Sequence, residues 1–567
     1  MNQTRTFLLL AWLFLAYLLW QAWQSPTPQP VIDATGSPRV GAVDDAAAPQ
    51  IPIEPSAPLA GVDATVPTAS PIANTTSTRR LVLANDVLRL EIDTRGGTVA
   101  SAQLLDYGQT AKPDSERVQL LSSAPEHFFV AQSGLVSNKG AAPSHESVFV
   151  SAPDAEAEVL RDGEQQVSLA LNWSDGNGLS VRKVFTLKRG SYLLSVRDEV
   201  DNQSEAAWQG HVYRQLLRVP PVIANSGFNN PEGYSFAGAA WYSPDEKFEK
   251  LKFDKLAEEP LNRKISGGWI AMLQHHFMAV WIPGADESTT FSTAIFANGV
   301  PRYVIREVGP ALVADPGARV STEARLWVGP KLQSELPAVA PGLERTIDYG
   351  IFTLISDPLF AVLSFLHRLF GNWGWAIIGL VVLIKAVFFK LSEKQYLSMA
   401  KMRKLQPRIE ALKERYGEDK QKFQQAMLEL YKKEKANPAS GCLPILIQIP
   451  VFIALYWVLL ESVELRHAPW IGWIHSLTDR DPYFVLPVLN MASMYFTQKL
   501  SPAPGMDPIQ KKFMQLMPLI FGVMFAFFPA GLVLYWTTNG SLGLLQQWVI
   551  MRRHGDQADK PAVASKD

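Results

Sequence analysis

One residue in this chain stands where its chemistry costs free energy to keep. The run Trp373–Leu391, WGWAIIGLVVLIKAVFFKL, carries Lys385 as its only charge before Lys390. An ionisable group at bilayer depth costs roughly 2.5–3.5 kcal/mol on insertion scales, so it faces protein or water. Two readings are open. The side chain snorkels to the C-terminal end of the run, roughly 7 Å away, or it sits in a hydrated recess. Helical side chains lean toward the helix N-terminus, away from that exit, which speaks for the recess.

The apolar runs that follow are unusually polar inside, with Gln448, Asn490, Ser493, Thr497, Gln498, Thr537, Thr538, Asn539, Ser541, Gln546 and Gln547. Most of these read as glue between helices. No Asp or Glu lies at the depth of Lys385; Glu461 and Glu464 fall near the opposite surface. Ion- or proton-coupled transport needs carboxylates at mid-membrane, so an unpaired cation fits an open recess that attracts acidic segments better. No nucleophile motif, phosphate loop or metal-ligand cluster appears, so no enzyme activity, cofactor or metal is expected. His275-His276 has no carboxylate nearby in sequence and reads as a partly buried structural pair. Cys442 is the single cysteine and can neither pair within the chain nor build a metal site. The net charge of −1 excludes a general polyanion binder, and no DNA partner is expected.

Around this lysine the chain divides by texture. Residues 1–24 carry Arg5 and an apolar stretch from Phe7 to Trp23. Without a small-residue cleavage site they read as a retained signal anchor rather than a cleaved peptide. Residues 25–78, rich in Pro, Ala, Ser and Thr, read as a disordered tether. From residue 79 to 345 apolar and polar residues alternate in short strands, punctuated at Gly96-Gly97 and Arg189-Gly190. That pattern predicts one large antiparallel β-sandwich, long enough to bury a core without disulfides. Such sheets often bind sugars or peptides, but nothing in the pattern marks a site. Residues 346–371 read as an amphipathic helix, too short and too interrupted to span, lying in the membrane interface, with a helix start at Asp357-Pro358. A packing helix of the soluble domain is the alternative.

The last third is a polytopic helical bundle. Transmembrane helices are expected at 372–391, 441–463, 484–498, 513–528 and 532–551; with the anchor that makes six. A periplasmic loop covers 464–483, a cytoplasmic loop 499–512 and a cytoplasmic tail 552–567. Residues 392–440 read as a basic helical hairpin, with Gly417 at its turn and Asn437-Pro438 closing it. Across 390–435 there are thirteen Lys/Arg against seven Asp/Glu. All the basic ends fall on the side of Arg5, so the positive-inside rule puts both termini in the cytoplasm and the β-domain outside. The spans at 484–498 and 513–528 are short against a core of about 30 Å and would thin the bilayer. In the hairpin an apolar stripe through Leu397, Met399, Met402, Leu405, Ile409 and Leu412 can pair with Phe423, Met427, Leu430 and Tyr431. Its charged faces are either simply solvated or a dock for ribosomal RNA or a hydrophobic client.

ANPASGCLPILIQIPVFIALYWVLLESVELRHAPW at 436–470 resembles the signature segment of the YidC-type membrane protein insertases. GNWGWAIIGL at 371–380, DPIQKKFMQLMP at 507–518 and FPAGLVLYW at 528–536 are similar to that family in the same order and spacing. The anchor, tether and β-domain match the layout of its Gram-negative form. The resemblance implies a five-helix insertase core around a hydrophilic groove open to cytoplasm and lipid. It implies insertion and folding of newly made proteins in the bacterial inner membrane, alone or with the Sec translocon. The partners implied are nascent membrane proteins, the Sec translocon, the ribosome and membrane lipids. Lys385 matches the groove cation, arginine in many relatives; Gln448, Gln498, Tyr535 and Trp536 match groove or client positions. Ile449, Pro450 and Phe452 match the apolar slide for clients. Lys401, Arg403, Lys404, Lys499, Lys511 and Lys512 are expected to dock ribosome or client, because the tail after Met551 is short. Lys390 stands where many relatives have proline, which would straighten the helix exit. A small-solute transporter and a tethered sugar-processing enzyme in the β-domain are the alternatives. They require paired charges in the spans and clustered carboxylates in a cleft, respectively; deletion of 79–330 would abolish the enzyme and spare an insertase.

Overall fold

The structure, a computed structural model, describes residues 78–138, 140–152, 156–221, 235–297, 299–416, 419–434, 443–500 and 508–558. The expected anchor and nearly all of the tether lie outside the described residues. So do Gly417, Asn437-Pro438, Cys442, residues 501–507 of the cytoplasmic loop and the tail from 559.

Alternation turns into sheet where one face can be buried. In Leu88–Asp93 the residues Leu88, Leu90 and Ile92 point into the core while Arg89 points out. The strand pairs antiparallel with Arg80–Ala84 on one side and Thr98–Gly108 on the other. Gly96 and Gly97 hold φ of 69° and 64° in the intervening turn. A Cβ on Gly96 would fall 2.3 Å from the His145 carbonyl oxygen, so only glycine fits there. Repetition of such pairs builds two sheets of ten and eight strands. Leu179–Lys188 and Leu193–Asn202 form the expected hairpin about Gly190, φ 66°. The sandwich departs from a purely antiparallel plan once, where Arg80–Ala84 pairs parallel with Ala157–Val159. Trp281 and Phe185 fill the space between the sheets, whereas Trp269 and Trp327 are buried on the other face of the eight-stranded sheet, Trp269 donating to the Pro341 carbonyl at 3.0 Å.

Lys183, Asp198, Arg214 and Glu307 are fully buried between the sheets as well. Lys183 donates to the carbonyls of Gly96 (3.0 Å) and Ser133 (3.1 Å) and to Ser133 Oγ (2.8 Å), with Asp198 3.8 Å away. Arg214 pairs with Glu307 at 3.0 Å. Burial pushes the Glu307 carboxyl up to about 7 despite that partner.

The C-terminal third is helical: α1 Thr353–Phe370, α2 Trp373–Val387, α3 Phe389–Tyr416, α4 Lys420–Lys433, α5 Leu443–Glu461, α6 Val485–Leu500, α7 Pro508–Phe525 and α8 Ala530–Ala558. Helix α1 packs on α2 and α5; α8 packs on α6, α2 and α3; α6 packs on α7. Four expectations are corrected. Asp357-Pro358 does not start α1, which begins at Thr353 with Pro358 inside it, continuing from a 3-10 turn at Gly350–Phe352. Gly350–Phe370 spans 21 residues, so among the described residues this helix is by length and composition long and apolar enough to cross a membrane. The run 372–391 is not one straight helix: it breaks at Phe388 (φ −88°, ψ 10°) and turns by 68° into α3. Lys390 therefore belongs to the helix after the bend. Finally, α7 ends at Phe525 rather than Phe528, because Phe528 precedes Pro529 and helical geometry is disfavoured there.

In the hairpin, Leu405, Ile409 and Tyr431 form a small core with Met402, Phe423, Met427 and Leu430 against it. Arg408 clamps the two helices through Glu434 at 2.7 Å. The methionines Met402 and Met427 are thus spent on packing the hairpin. Elsewhere the bundle turns large apolar side chains outward, among them Val488, Leu489, Phe513, Leu519, Ile520 and Val523, each at least half exposed. A surface of that kind marks contact with something other than water.

Candidate functional site: a lysine in a polar cleft

Helix α2 is set by its first residue. Asn372 Oδ1 accepts from Gly374 N (2.9 Å) and Trp375 N (3.2 Å), and its amide donates to the carbonyls of Pro469 and Trp470, both 3.1 Å. From that start, Lys385 falls on the last turn, facing the bundle. A Cβ on Gly543 of α8 would lie 3.6 Å from Lys385 Nζ and equally far from Tyr396 Oη. Helix α8 also reaches back, Gln546 Nε2 donating to the Lys385 carbonyl at 3.3 Å. The side chain is turned toward α8, not along the exit path.

Lys385, Ser392, Gln448 and Asn539 supply the polar wall of a cleft whose apolar wall is Ile384, Phe388, Leu391 and Val451. Its cavity volume of about 40 Å³ has room for about three waters at 10–15 Å³ each. Among the described residues Lys385 forms no ion pair, and none holds a cluster of three potential metal ligands. The cleft offers hydration and positive charge, without a nucleophile or an acid–base pair.

The expected groove residues separate. Gln448 lines the cleft, and its amide reaches Tyr535 Oη at 3.4 Å. Tyr535 is buried and stacks on Phe452 at 6.2 Å. Trp536 packs edge-on against Phe452 at 4.8 Å and contacts Phe525 at 5.5 Å, its indole N–H buried without a partner. Gln498 lies apart, its amide donating to the Met514 carbonyl between α6 and α7. Of the expected slide, Ile449 is 46% exposed, whereas Phe452 faces Trp536 and Pro450 is half-buried. Lys401, Arg403, Lys404, Lys499 and Lys512 are exposed and outside the cleft; the side chain of Lys511 lies outside the described residues.

Sequence reasoning missed Ser392 and Tyr396 and took Asn539 and Gln546 for glue. A signal existed: 392 and 396 are one turn apart, and 539, 543 and 546 share one helix face. The Tyr396 hydroxyl donates to the Gly543 carbonyl at 3.1 Å, tying the start of the hairpin to α8.

At the other end of α5, His275 and His276 stack at 3.7 Å, and each places Nε2 3.0 Å from the Leu460 carbonyl. They are structural, as expected, but a carboxylate does stand beside them: Glu461 Oε1 is 3.9 Å from His275, distant in sequence and close in space. Burial drives His275 down to about 3 and His276 well below its ordinary value, so both are neutral. Arg466 joins the same junction through the carbonyls of Gly108 (2.7 Å) and Gln109 (3.3 Å). A larger cavity of about 460 Å³ opens there, lined by Gln119, Gln274, His275 and Arg466.

A bundle with an apolar exterior and a cation-bearing polar cleft, carrying a β-sandwich at one end, is the plan of a lipid-embedded protein with an extramembranous domain. Two family models match it: the 60Kd inner membrane protein over residues 365–557 and the YidC periplasmic domain over 80–362. A membrane protein insertase YidC from Xanthomonas campestris pv. campestris (strain 8004) is 50% identical over 99% of both chains. One from Stenotrophomonas maltophilia (strain R551-3) is 48% identical over 98% of both. A crystal structure of an active YidC insertase is 19% identical, covers 84% of this chain and 93% of its own, and has a TM-score of 0.40. The chain belongs to the YidC family, inner-membrane proteins with a periplasmic domain.

Proposed function

We propose that this protein moves hydrophobic segments of newly made proteins from the cytoplasm into the inner membrane and assists their folding. The observation that carries the reading is the cleft: among the described residues, a cation without an ion partner, in a cavity with room for water and no carboxylate in its lining, at the end of short helices with apolar outer faces. A client's polar stretch gains water and the Lys385 ammonium there, while its apolar segment passes to lipid. Burial in lipid supplies roughly 25 cal/mol per Å², and the membrane potential favours negative charge moving outward.

In this reading α2, α5, α6, α7 and α8 span the membrane, with an N-terminal anchor as a sixth span and both termini cytoplasmic. Helix α6, with its 16 residues, is about 24 Å long, and thinning around it shortens the barrier. Helix α1 lies in the periplasmic interface. Gln448, Tyr535 and Trp536 meet the client within the groove and Gln498 at its edge, while Ile449, Pro450 and Phe452 form the slide. Lys401, Arg403, Lys404, Lys499, Lys511 and Lys512 receive the ribosome or the emerging chain, and the Sec translocon is a partner for larger clients. No catalytic step is involved.

The test is photocrosslinking from a probe at Trp536 or Ile449 to ribosome-bound chains of a single-span client. Crosslinks that appear only while the apolar segment emerges support the reading. Their absence at both sites in a folded bundle refutes it.

A further inference from the structure

The loop between α5 and α6 is held from three sides, and what it leaves exposed is aromatic. Asn372 at the start of α2 binds the carbonyls of Pro469 and Trp470. Trp470 packs so tightly on α2 that a Cβ on Gly374 would come within 2.0 Å of its ring. At the start of α8, Ala530 N and Gly531 N donate to the carbonyls of Asp479 (2.7 Å) and Leu477 (2.8 Å). At the start of α6 the buried Asp481 accepts from Trp473 Nε1 (3.0 Å), Tyr483 N (3.0 Å) and Leu486 N (2.7 Å). One loop thereby accepts from N–H groups at the starts of α6 and α8 and from the Asn372 side chain that caps α2. Asp481 also fixes Phe484, a non-glycine residue held at φ 56° in the left-handed region.

This scaffold presents Ile471 (52% exposed), Trp473 (38%), Tyr483 (70%) and Phe484 (43%), with Trp375 (45%) beside them on α2. Trp473 and Tyr483 meet edge to face at 6.2 Å. Exposed large apolar side chains gathered in one patch mark a contact with something other than water. We propose that this aromatic rim is a lipid anchor, seated in the headgroup–acyl boundary of the outer leaflet, that fixes the depth of α2, α6 and α8. The proposal rests on the membrane-spanning reading of those helices and adds to it a lipid contact for the loop.

Two observations choose lipid over a protein partner. The rim is continuous with the apolar face of α6, since Phe484 immediately precedes the helix on which Val488 and Leu489 are at least half exposed. The loop is also close to electroneutral: residues 464–482 hold two arginines against three acids, and one of those acids, Asp481, is buried. Trp and Tyr concentrate at the headgroup level of bilayers because each ring has an apolar body and a polar tip. A rim so fastened would register the short α6 against the outer leaflet and draw that leaflet inward.

The full chain with Cys442→Ser leaves no native thiol. A single cysteine at Ile471, Tyr483, Val488 or Glu205 then takes a nitroxide label, and the protein is reconstituted into phosphatidylethanolamine–phosphatidylglycerol vesicles. Relaxation by oxygen reports lipid, and relaxation by a water-soluble nickel chelate reports water. Labels at 471 and 483 are expected to favour oxygen, as at 488, and to reverse the preference seen at 205 on the β-domain surface. If 471 and 483 follow 205 while 488 stays in lipid, the anchor is overturned and the span stands. Protection from both reagents at 471 and 483 overturns it in favour of a protein contact. Nickel access at 488 overturns the spanning reading and the anchor with it.

Discussion

Removing the charge at Lys385 while keeping its length, as in Lys385→Met, should slow insertion only of clients whose translocated stretch is acidic. The magnitude follows from the cleft. Two unit charges 4 Å apart attract by about 4 kcal/mol at an effective dielectric near 20. Water admitted to a cavity of about 40 Å³ and, on the proposed topology, the opening of the cleft to the cytoplasm would screen this to about half. The client's acidic residue therefore loses roughly 2–4 kcal/mol, about 30- to 1000-fold in rate at 1.36 kcal/mol per decade. Lys385→Arg should keep the rate, and Lys385→Glu should reverse the preference toward basic stretches. The assay is protease protection of a single-span client in proteoliposomes, with Asp or Asn ahead of its apolar segment. The four combinations of Lys or Met with Asp or Asn form a double-mutant cycle. A coupling near zero, with Lys385→Met slowing both clients alike, would falsify the electrostatic role and leave Lys385 a packing residue.

Gly543→Ala should retain insertion, since the new methyl meets Lys385 Nζ and Tyr396 Oη at 3.6 Å, an ordinary contact, whereas Gly543→Leu should fill the cleft and abolish it in the same assay. Asn372→Ala removes a helix cap and two further hydrogen bonds, for a loss of about 2–4 kcal/mol, read as a drop in the melting temperature of the detergent-solubilised protein. The His275–His276–Leu460 junction should loosen in acid. Both imidazoles are held below an ordinary value of 6.5, His275 at about 3. The unfolded chain thus binds protons first, and each group withdraws about 1.4 kcal/mol per pH unit below 6.5. Hydrogen exchange at 460–466 should accelerate between pH 6 and 4, and less so in His276→Gln. Glu307 has the opposite sign: with its carboxyl raised to about 7, it takes stability from the β-domain as pH climbs from 4.5 to 7. Glu307→Gln should flatten the thermal stability of the full chain over that window.

What could be read from the sequence was whatever one stretch of chain decides by itself. Leu88–Asp93 alternates because it is covered on one face, so its strand and its inward residues were legible. Lys385 stood out because a solitary charge in an apolar run must reach water or protein, by snorkelling or in a recess. The break at Phe388 was illegible: AVFFKL contains neither Gly nor Pro, and the bend is imposed where α3 leaves to pack on α8. Lys183 and Asp198 sit at positions where a charged residue ordinarily means solvent, yet both are fully buried. The carbonyls that Lys183 binds, of Gly96 and Ser133, belong to a turn and a strand of the opposite sheet. The histidine pair met a carbonyl on α5 some 185 residues away, a relation no local pattern records.

The cleft shows how the two kinds of information combine. Lys385 and Gln448 were legible singly, as polar residues in apolar runs, but nothing in either run says that they share a wall. Sharing requires α5 and α2 to be neighbours of α8 at one depth, and α8 to present Asn539, Gly543 and Gln546 along one face. The middle position of that face must be small: a branched side chain there would occupy the space between Lys385 Nζ and Tyr396 Oη. A glycine in mid-helix costs about 1 kcal/mol relative to alanine; alanine would also fit here, so what the cleft requires is a small residue that leaves room beside Lys385 Nζ and the Tyr396 hydroxyl. The same close approach lets that hydroxyl reach the Gly543 carbonyl, so the hairpin is fastened at the point where the cleft opens. On the proposed topology, access of a client to Lys385 from the cytoplasm and the position of the hairpin are therefore one variable. A Tyr396→Phe exchange, which removes a single hydrogen bond of about 1 kcal/mol, should raise cytoplasmic thiol-reagent labelling of a cysteine at Asn539; unchanged labelling would show the two to be independent.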